Sequence, residues 1–236
     1  MSGLDYRWTC GLPGLGSRGK IPSLLSLLHA RVHFVLSPGH RKVGMRVLDF
    51  DGTIYDGESL LDFYFFTLRR YGSMVRFAPA ALYYAIRYRL GRVTMEELDR
   101  AMRRIGGRYL QQLTSRPDFD MDRLVSEFWD RNMSKIMDWY RPRQDDVILT
   151  ASFDVVAGEA CRRLGVGRCI GSTLDMETLE VGYLNFGPGK PVHFMEAVGD
   201  DARIDSFYTD SDFDAPMVQL ARKAYLVERG CVHRIK

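Results

Sequence analysis

Two aspartates one residue apart, Asp49 and Asp51, follow a short apolar run in the stretch MRVLDFDGT at residues 45–53. In an extended chain such residues point to the same side, so both carboxylates enter one small space. Like charges this close repel and resist losing water, so the pair costs free energy unless a cation or a reaction uses it. The pair therefore predicts a metal-dependent site.

Hydroxyls, a lysine and further acids occupy comparable positions later in the chain. Thr150 and Ser152 end the apolar run VILTAS, and Asp210 and Asp214 follow the run IDSFYT. Lys190 lies in the turn-like segment GPGKP. Because the carboxyl ends of parallel strands share one edge of a sheet, we expect the hydroxyls and acids to converge there, with Lys190 joining them from its turn.

The elements between these residues alternate after Pro142. The segment DVILTAS predicts a buried strand, FDVVAGEACRRLG a helix that ends at glycine, and RCIGS another strand. Two further strands are predicted in SFYTD and KAYLV. This alternation indicates an α/β fold, a Rossmann-like three-layer parallel sheet.

Residues 58–145 have a helical pattern almost throughout. One predicted helix ends at Gly72, and a second follows Pro79. A third begins with the capping box of Thr94 and Glu97 and is expected to end at Gly106-Gly107. A fourth is predicted over residues 121–139.

The resulting domain organisation has three parts. Residues 1–44 lack a sustained period and are expected to be an unstructured or non-native extension, with Met45 as the biological start. Residues 45–57 and 146–236 form the predicted core, and residues 58–145 a helical layer over its carboxyl edge. A targeting peptide fits residues 1–44 poorly because Asp5 and scattered glycines interrupt it.

Four segments together resemble the motifs of the haloacid dehalogenase (HAD) superfamily of phosphohydrolases. The resemblance extends from about Met45 to Val227, and its segments are DFDGT (49–53), ILTAS (148–152), GPGKP (187–191) and DSDFD (210–214). The helical insert resembles the C1 cap of that superfamily, which is typical of subfamily IB, the phosphoserine-phosphatase-like branch. Within that branch the chain looks most similar to phosphatidylglycerophosphatase C-like proteins.

The resemblance implies a role for each central residue. Asp49 would be the nucleophile that forms an aspartyl-phosphate, and Asp51 the acid and base for the leaving alkoxide and the attacking water. Mg²⁺ would be bound by Asp49, the backbone carbonyl of Asp51 and Asp210. Thr150 and Lys190 would hold the phosphate. An acid at position 51 disfavours dehalogenase chemistry, because a halide leaves without a proton.

Several residues have a second interpretation. Asp214 is expected to orient the lysine, with Thr53 and Ser211 in supporting positions, and Ser152 is either supporting or simply a strand-to-helix cap. Glu58 occupies the position of a substrate-binding acid in this branch, but equally suits the first turn of a helix. Asp210 read alone could be a helix N-cap and Lys190 a surface residue.

The first two predicted helices of the insert combine aromatic and basic residues. The basic residues are Arg69, Arg70, Arg76, Arg87, Arg89 and Arg92, and the aromatic ones are Phe63, Tyr64, Phe65, Phe66, Phe77, Tyr83, Tyr84 and Tyr88. Aromatic residues at helical spacing commonly belong to the core, and arginines commonly lie on a solvated face. They also suit an anionic membrane surface or a lipid phosphate. No nucleic-acid motif accompanies them.

Composition sets the remaining limits. The four cysteines have neither metal-ligand spacing nor partnering histidines, which disfavours a zinc site and a disulfide framework. No apolar run is long enough to span a bilayer. We expect a cytoplasmic enzyme that acts on a small-molecule or lipid phosphate, and that is peripheral at the inner face of the membrane if its substrate is a lipid. The alternatives are a soluble-metabolite phosphatase of the phosphoserine phosphatase type, and a catalytically silent binding domain.

Overall fold

The computed structural model describes residues 44–236, apart from the Arg89 side chain. A six-stranded sheet has the order β3-β2-β1-β6-β7-β8, in which β1, β2, β3, β6 and β7 are parallel and β8 is antiparallel to β7. Its strands are β1 (Met45–Leu48), β2 (Val147–Phe153), β3 (Arg168–Ser172), β6 (Ile204–Thr209), β7 (Lys223–Glu228) and β8 (Cys231–Arg234). The predicted α/β class is confirmed. The prediction for residues 1–44 lies outside the described residues except for Gly44.

Apolar runs make the central strands, because both faces of the sheet are covered. Val47 of β1 pairs with Val147 on one side and Phe207 on the other, and all three are buried. Two apolar clusters lie on the two faces, one continuous with the helical insert and one formed with the later helices. Parallel strands covered on both faces are expected to be nearly continuously apolar, as here.

The helical insert, residues 58–145, leaves the sheet after β1 and returns at β2. Its helices are α1 (Ser59–Arg70), α2 (Ala78–Arg89), α3 (Met95–Thr114) and α4 (Met121–Asn132), with 3₁₀ turns at Gly72–Phe77 and Met133–Lys135. The capping box of Thr94 and Glu97 is present at the start of α3. Among the described residues, no helix is both long and apolar enough to span a membrane.

The predicted end of α3 at Gly106-Gly107 is wrong, because the helix continues to Thr114. These glycines face a small hairpin made of β4 (Leu174–Asp175) and β5 (Glu180–Val181). A Cβ on Gly106 would lie 2.8 Å from Cγ2 of Val181, and one on Gly107 would lie 3.4 Å from the carbonyl oxygen of Leu179. The glycine pair therefore permits close packing of α3 on the hairpin.

The fourth predicted helix is too long, since α4 ends at Asn132. The backbone beyond it pairs with the segment that follows β1. The Asp56 N–H donates to the Lys135 carbonyl at 2.8 Å, and the Met137 N–H to the Ile54 carbonyl at 2.9 Å. A longer helix would need the Lys135 carbonyl and the Met137 N–H for its own hydrogen bonds. Because both groups bond to the segment after β1 instead, the apolar repeat beyond Asn132 lies in non-helical backbone.

Three helices complete the layers: α5 (Asp154–Leu164), α6 (Gly189–Val198) and α7 (Ala215–Leu220). Helix α5 ends as predicted at Gly165, which has a left-handed conformation. Helix α6 and the hairpin β4–β5 were not predicted. Lys190 is therefore the second residue of a helix rather than part of a free turn.

Candidate active site

A buried cluster of three charges lies at the carboxyl ends of β1 and β6. The Lys190 Nζ is 2.8 Å from Oδ1 of Asp49 and 2.8 Å from Oδ1 of Asp214. Their side chains are only 9 %, 5 % and 3 % exposed for Asp49, Lys190 and Asp214. Asp214 also accepts a hydrogen bond from the Thr209 hydroxyl at 2.8 Å. Asp214 therefore contacts Lys190, and its role in orienting the lysine stays a prediction.

The environment of this cluster alters its acid–base behaviour. Burial raises the pKa of Asp49 to about 7, with Lys190 opposing the rise and Asp214 adding to it. Burial lowers the pKa of Lys190, but the charges of Asp49 and Asp214 outweigh burial, and the net shift is upward. Lys190 is therefore a fixed positive charge beside the carboxylate that sequence reasoning singled out as nucleophile.

Asp51 lies in the loop between β1 and α1. Its Oδ1 accepts the N–H of Ser59, the first residue of α1, at 2.6 Å. Burial raises the pKa of Asp51, while hydrogen bonds from Ser59 lower it. A carboxyl group with a raised pKa retains its proton more readily, which suits a proton donor.

The DFDGT segment forms a compact loop. The Phe50 carbonyl accepts from the Ile54 and Tyr55 N–H groups at 2.9 Å, and the Gly52 N–H donates to the Tyr55 carbonyl at 2.9 Å. Gly52 has φ of +68°, and a Cβ there would lie 2.1 Å from Oδ2 of Asp210. Glycine is thus needed both for the turn and for the approach of Asp210.

Asp210 is beside this loop and does not cap a helix. The N-cap of the 3₁₀ turn Asp212–Asp214 is Ser211, whose hydroxyl accepts from the Phe213 N–H at 3.2 Å. Asp210 accepts a long hydrogen bond of 3.4 Å from the hydroxyl of the buried Thr53. The capping interpretation of Asp210 is therefore wrong, and its carboxylate faces the DFDGT loop.

The end of β2 contributes two buried hydroxyls. The Thr150 hydroxyl oxygen accepts from the Ser152 N–H at 3.0 Å, which leaves its O–H able to donate elsewhere. The Ser152 Oγ accepts from the Ser59 hydroxyl at 2.9 Å. Ser152 thus contacts the insert and does not cap α5, whose N-cap is Phe153.

Glu58 precedes α1 as its N-cap residue, but its side chain forms no capping hydrogen bond. Partial burial raises its pKa, and the charges of Asp51 and Asp210 contribute to that rise. Glu58 is therefore close enough to the site for electrostatic interaction. Its interpretation as a first-turn residue does not hold, since α1 begins one residue later.

The donor set predicted for Mg²⁺ consists of two carboxylates and one carbonyl, all hard oxygen donors. The placement of Asp210 against Gly52 brings one of those carboxylates to the loop that carries the Asp51 carbonyl. Among residues 44–236 no cluster of three or more His, Cys, Asp or Glu side chains is placed to hold a metal, and the predicted set does not require one. Asp49, Asp51 and Asp210 fit a hard divalent cation by their chemistry.

Sequence reasoning missed three residues that shape the site. Ser59 contacts Asp51, and Thr209 contacts Asp214. Asn185 is fully buried, and its amide donates to the carbonyls of Thr150 and Ile170, both at 3.0 Å. Thr209 could have been found from its place before the DSDFD acids, whereas a single asparagine in a loop provides no such signal.

Comparison with known proteins supports the assignment of a class. The family model of haloacid dehalogenase-like hydrolases matches residues 47–219. The chain therefore belongs to the haloacid dehalogenase-like hydrolase family, as the four motifs indicated. A search of curated proteins returned no match.

Two of the solved structures below show the same fold at low identity. A protein of unknown function from Bordetella pertussis Tohama I has a TM-score of 0.59 and 17 % identity, over 78 % of this chain and 89 % of its own. A HAD family hydrolase from Salmonella enterica serovar Typhi has a TM-score of 0.50 and 12 % identity, over 75 % and 60 %. A phosphoserine phosphohydrolase-like protein from Francisella tularensis has a TM-score of 0.49 and 13 % identity, over 80 % and 88 %.

Proposed function

We propose that this hydrolase is a magnesium-dependent phosphomonoester phosphatase that acts through an aspartyl-phosphate. The observation that carries the proposal is the buried contact of Lys190 with Asp49 and Asp214, next to a second acid, Asp51, held at the start of α1. A carboxylate nucleophile, a fixed cation and a separate proton donor are what two-step phosphoryl transfer requires.

The proposed reaction has two displacements. In the first, a carboxylate oxygen of Asp49 forms a bond to phosphorus, the bond to the ester oxygen breaks, and Asp51 gives its proton to the departing alkoxide. In the second, Asp51 takes a proton from water, whose oxygen bonds to phosphorus and releases the Asp49 carboxylate. Lys190 and the Thr150 hydroxyl stabilise charge on the phosphoryl oxygens.

Mg²⁺ would be held by Asp49, the Asp51 carbonyl and Asp210, where it would neutralise phosphate charge that otherwise repels the nucleophile. The protein itself supplies the remaining positive charge through Lys190. Because Lys190 is already shared between two carboxylates, its single charge does not neutralise a phosphate dianion in addition.

Hydrolysis of p-nitrophenyl phosphate with and without Mg²⁺ tests the reaction class. We expect Asp49→Asn to lower kcat by more than about 10³-fold, because no nucleophile replaces it. Asp212→Asn is the matched control, since Asp212 is an exposed acid at the same sheet edge. Acid quenching with phosphate-labelled substrate should trap label on the wild-type protein and none on Asp49→Asn, and turnover by Asp49→Asn would refute the nucleophile assignment.

The finer proposal is that the substrate is a lipid phosphate, such as phosphatidylglycerophosphate. Its support is the segment of the insert between Asp62 and Glu96, which contains six arginines and no acidic residue, and the surface that this segment forms. This surface, here named the Arg-aromatic face, exposes apolar side chains on the 3₁₀ turn, on α2 and on the residue after α2: Val75, Leu82, Tyr83, Ile86 and Leu90. Exposed apolar groups on a segment that carries arginines and no acidic residue suit an anionic lipid surface.

Part of the aromatic set has a purely structural role. Phe63 and Phe66 are buried in the core with Phe128. Arg70 forms a salt bridge of 2.5 Å with Glu127. The proposal therefore depends on α2 and the preceding turn rather than on every aromatic residue of the insert.

Co-sedimentation with anionic vesicles, at low and moderate salt, tests the Arg-aromatic face. We expect Ile86→Glu to abolish sedimentation and Val232→Glu, an exposed valine on β8, to leave it unchanged. A panel of lipid and soluble phosphomonoesters then identifies the substrate class. Preference for a soluble ester such as phosphoserine would support the phosphoserine phosphatase-type alternative, and no turnover of any ester would support a silent binding domain.

A further inference from the structure

Ser59 is fully buried at the start of α1, where helix N–H groups have no intrahelical partner. The residue before it, Glu58, forms no side-chain capping bond. The Ser59 N–H is satisfied instead by Asp51, eight residues earlier, at 2.6 Å. A catalytic candidate therefore occupies the place of a helix cap.

The side chain of Ser59 makes a second contact with the core. Its hydroxyl donates to the Ser152 Oγ at 2.9 Å, and the Ser152 N–H donates to the Thr150 hydroxyl at 3.0 Å. Ser59 thus links the first turn of the insert to Asp51 on one side and to the end of β2 on the other. Both of those segments carry residues assigned to the reaction.

We propose that Ser59 is a positioning residue, whose N–H fixes the orientation of the Asp51 carboxyl group and thereby places its proton for the leaving oxygen. The inference rests on the proposed phosphatase function. The Ser59 N–H donates to Oδ1 of Asp51 at 2.6 Å, which restrains rotation of the carboxyl group, and Oδ2 is then the oxygen assigned to carry the proton. Proton donation then depends on where α1 begins.

Two substitutions at one position separate the backbone contact from the side-chain contact. Ser59→Ala removes the hydroxyl and keeps the N–H. Ser59→Pro removes both, and proline is well tolerated at the first helical position because no helical hydrogen bond is lost there. Glu58 has φ of −112° and ψ of 101°, an extended conformation close to the one that residues preceding proline prefer.

Two esters of similar size report on proton donation. Benzyl phosphate releases a strongly basic alkoxide, whereas p-nitrophenyl phosphate releases a stable anion that needs no proton. We expect kcat/KM of Ser59→Pro, relative to Ser59→Ala, to fall about 10- to 100-fold for benzyl phosphate and less than about threefold for p-nitrophenyl phosphate. A loss of equal size for both esters, or no loss, would overturn the inference, because a purely structural change affects both.

A second measurement covers the case in which Ser59→Pro does not fold. The Ser59 amide signal is followed by ¹H–¹⁵N NMR in the wild type and in Asp51→Ala, where the acceptor is removed. We expect the amide proton to move upfield and to exchange faster, and an unchanged signal would overturn the inference. Failure of the wild type to hydrolyse either ester would instead refute the proposed function, so the two failures are distinguishable.

Discussion

The buried Asp49 carboxyl group makes the stability of the metal-free protein dependent on pH. Its pKa is raised from 3.8 to about 7, chiefly by burial, so between these values the folded state binds a proton that the unfolded state has lost. Stability from this group therefore falls as pH rises from about 4 to 7. The full change corresponds to about 4 kcal/mol of unfolding free energy.

Asp49→Asn removes this titration and keeps the size of the side chain. We expect the variant to unfold with nearly the same free energy as the wild type near pH 4, and to be more stable by up to about 4 kcal/mol near pH 7. Urea unfolding in EDTA at several pH values measures the difference. A difference that does not depend on pH, or a variant that is less stable at pH 7, would refute the reasoning.

Three other substitutions test contacts of the site and the insert. Lys190→Met leaves Asp49 and Asp214 without their shared cation, and should lower the free energy of unfolding at neutral pH by about 3–5 kcal/mol in urea denaturation. Gly52→Ala places a Cβ 2.1 Å from the Asp210 carboxylate, and should raise the Mg²⁺ concentration for half-maximal activity by about 10-fold or more. Gly106→Ala should lower the thermal midpoint despite the better helix propensity of alanine, because α3 would be forced away from the hairpin.

A second substitution serves as the control for each of these three variants. Gly91→Ala shares the positive φ of Gly52, at +64°, with nothing within 4 Å, so it should leave the Mg²⁺ requirement unchanged. Gly158→Ala, in open space on α5, should not destabilise, and Val181→Ala should rescue Gly106→Ala. Adding Asp214→Asn to Lys190→Met should recover part of the lost stability, since one unpaired buried charge is removed. Equal effects of test and control would contradict the proposed contacts.

The sheet and the four motif positions could be predicted because local sequence determines them. Apolar runs bounded by turn residues predicted the parallel strands, and acids or hydroxyls at their ends lie at one edge regardless of sequence separation. The approach of Lys190 to these strand-end acids was also predicted, although its helix α6 was not, and the role of Asp214 in orienting Lys190 came from the family resemblance.

The errors arose where distant contacts override local preference. Gly106-Gly107 reads as a helix end, yet the pair lies inside α3 because the facing hairpin requires small residues there. The helical repeat after Asn132 continues in sequence, but its backbone bonds to residues 54–56 instead. Strands of two residues, such as β4 and β5, are too short for any period to appear.

The outgoing and returning segments of the insert are joined to each other by backbone hydrogen bonds between residues 54–56 and 135–137. The Tyr55 hydroxyl and the Lys135 ammonium group both donate to the same Asp62 oxygen, at 2.6 Å and 2.7 Å. The insert is therefore closed at its base, where its two ends are hydrogen-bonded to each other. Because these bonds fix the spacing of the two ends, we expect changes of length within the insert to leave the register of β1 and β2 unaltered.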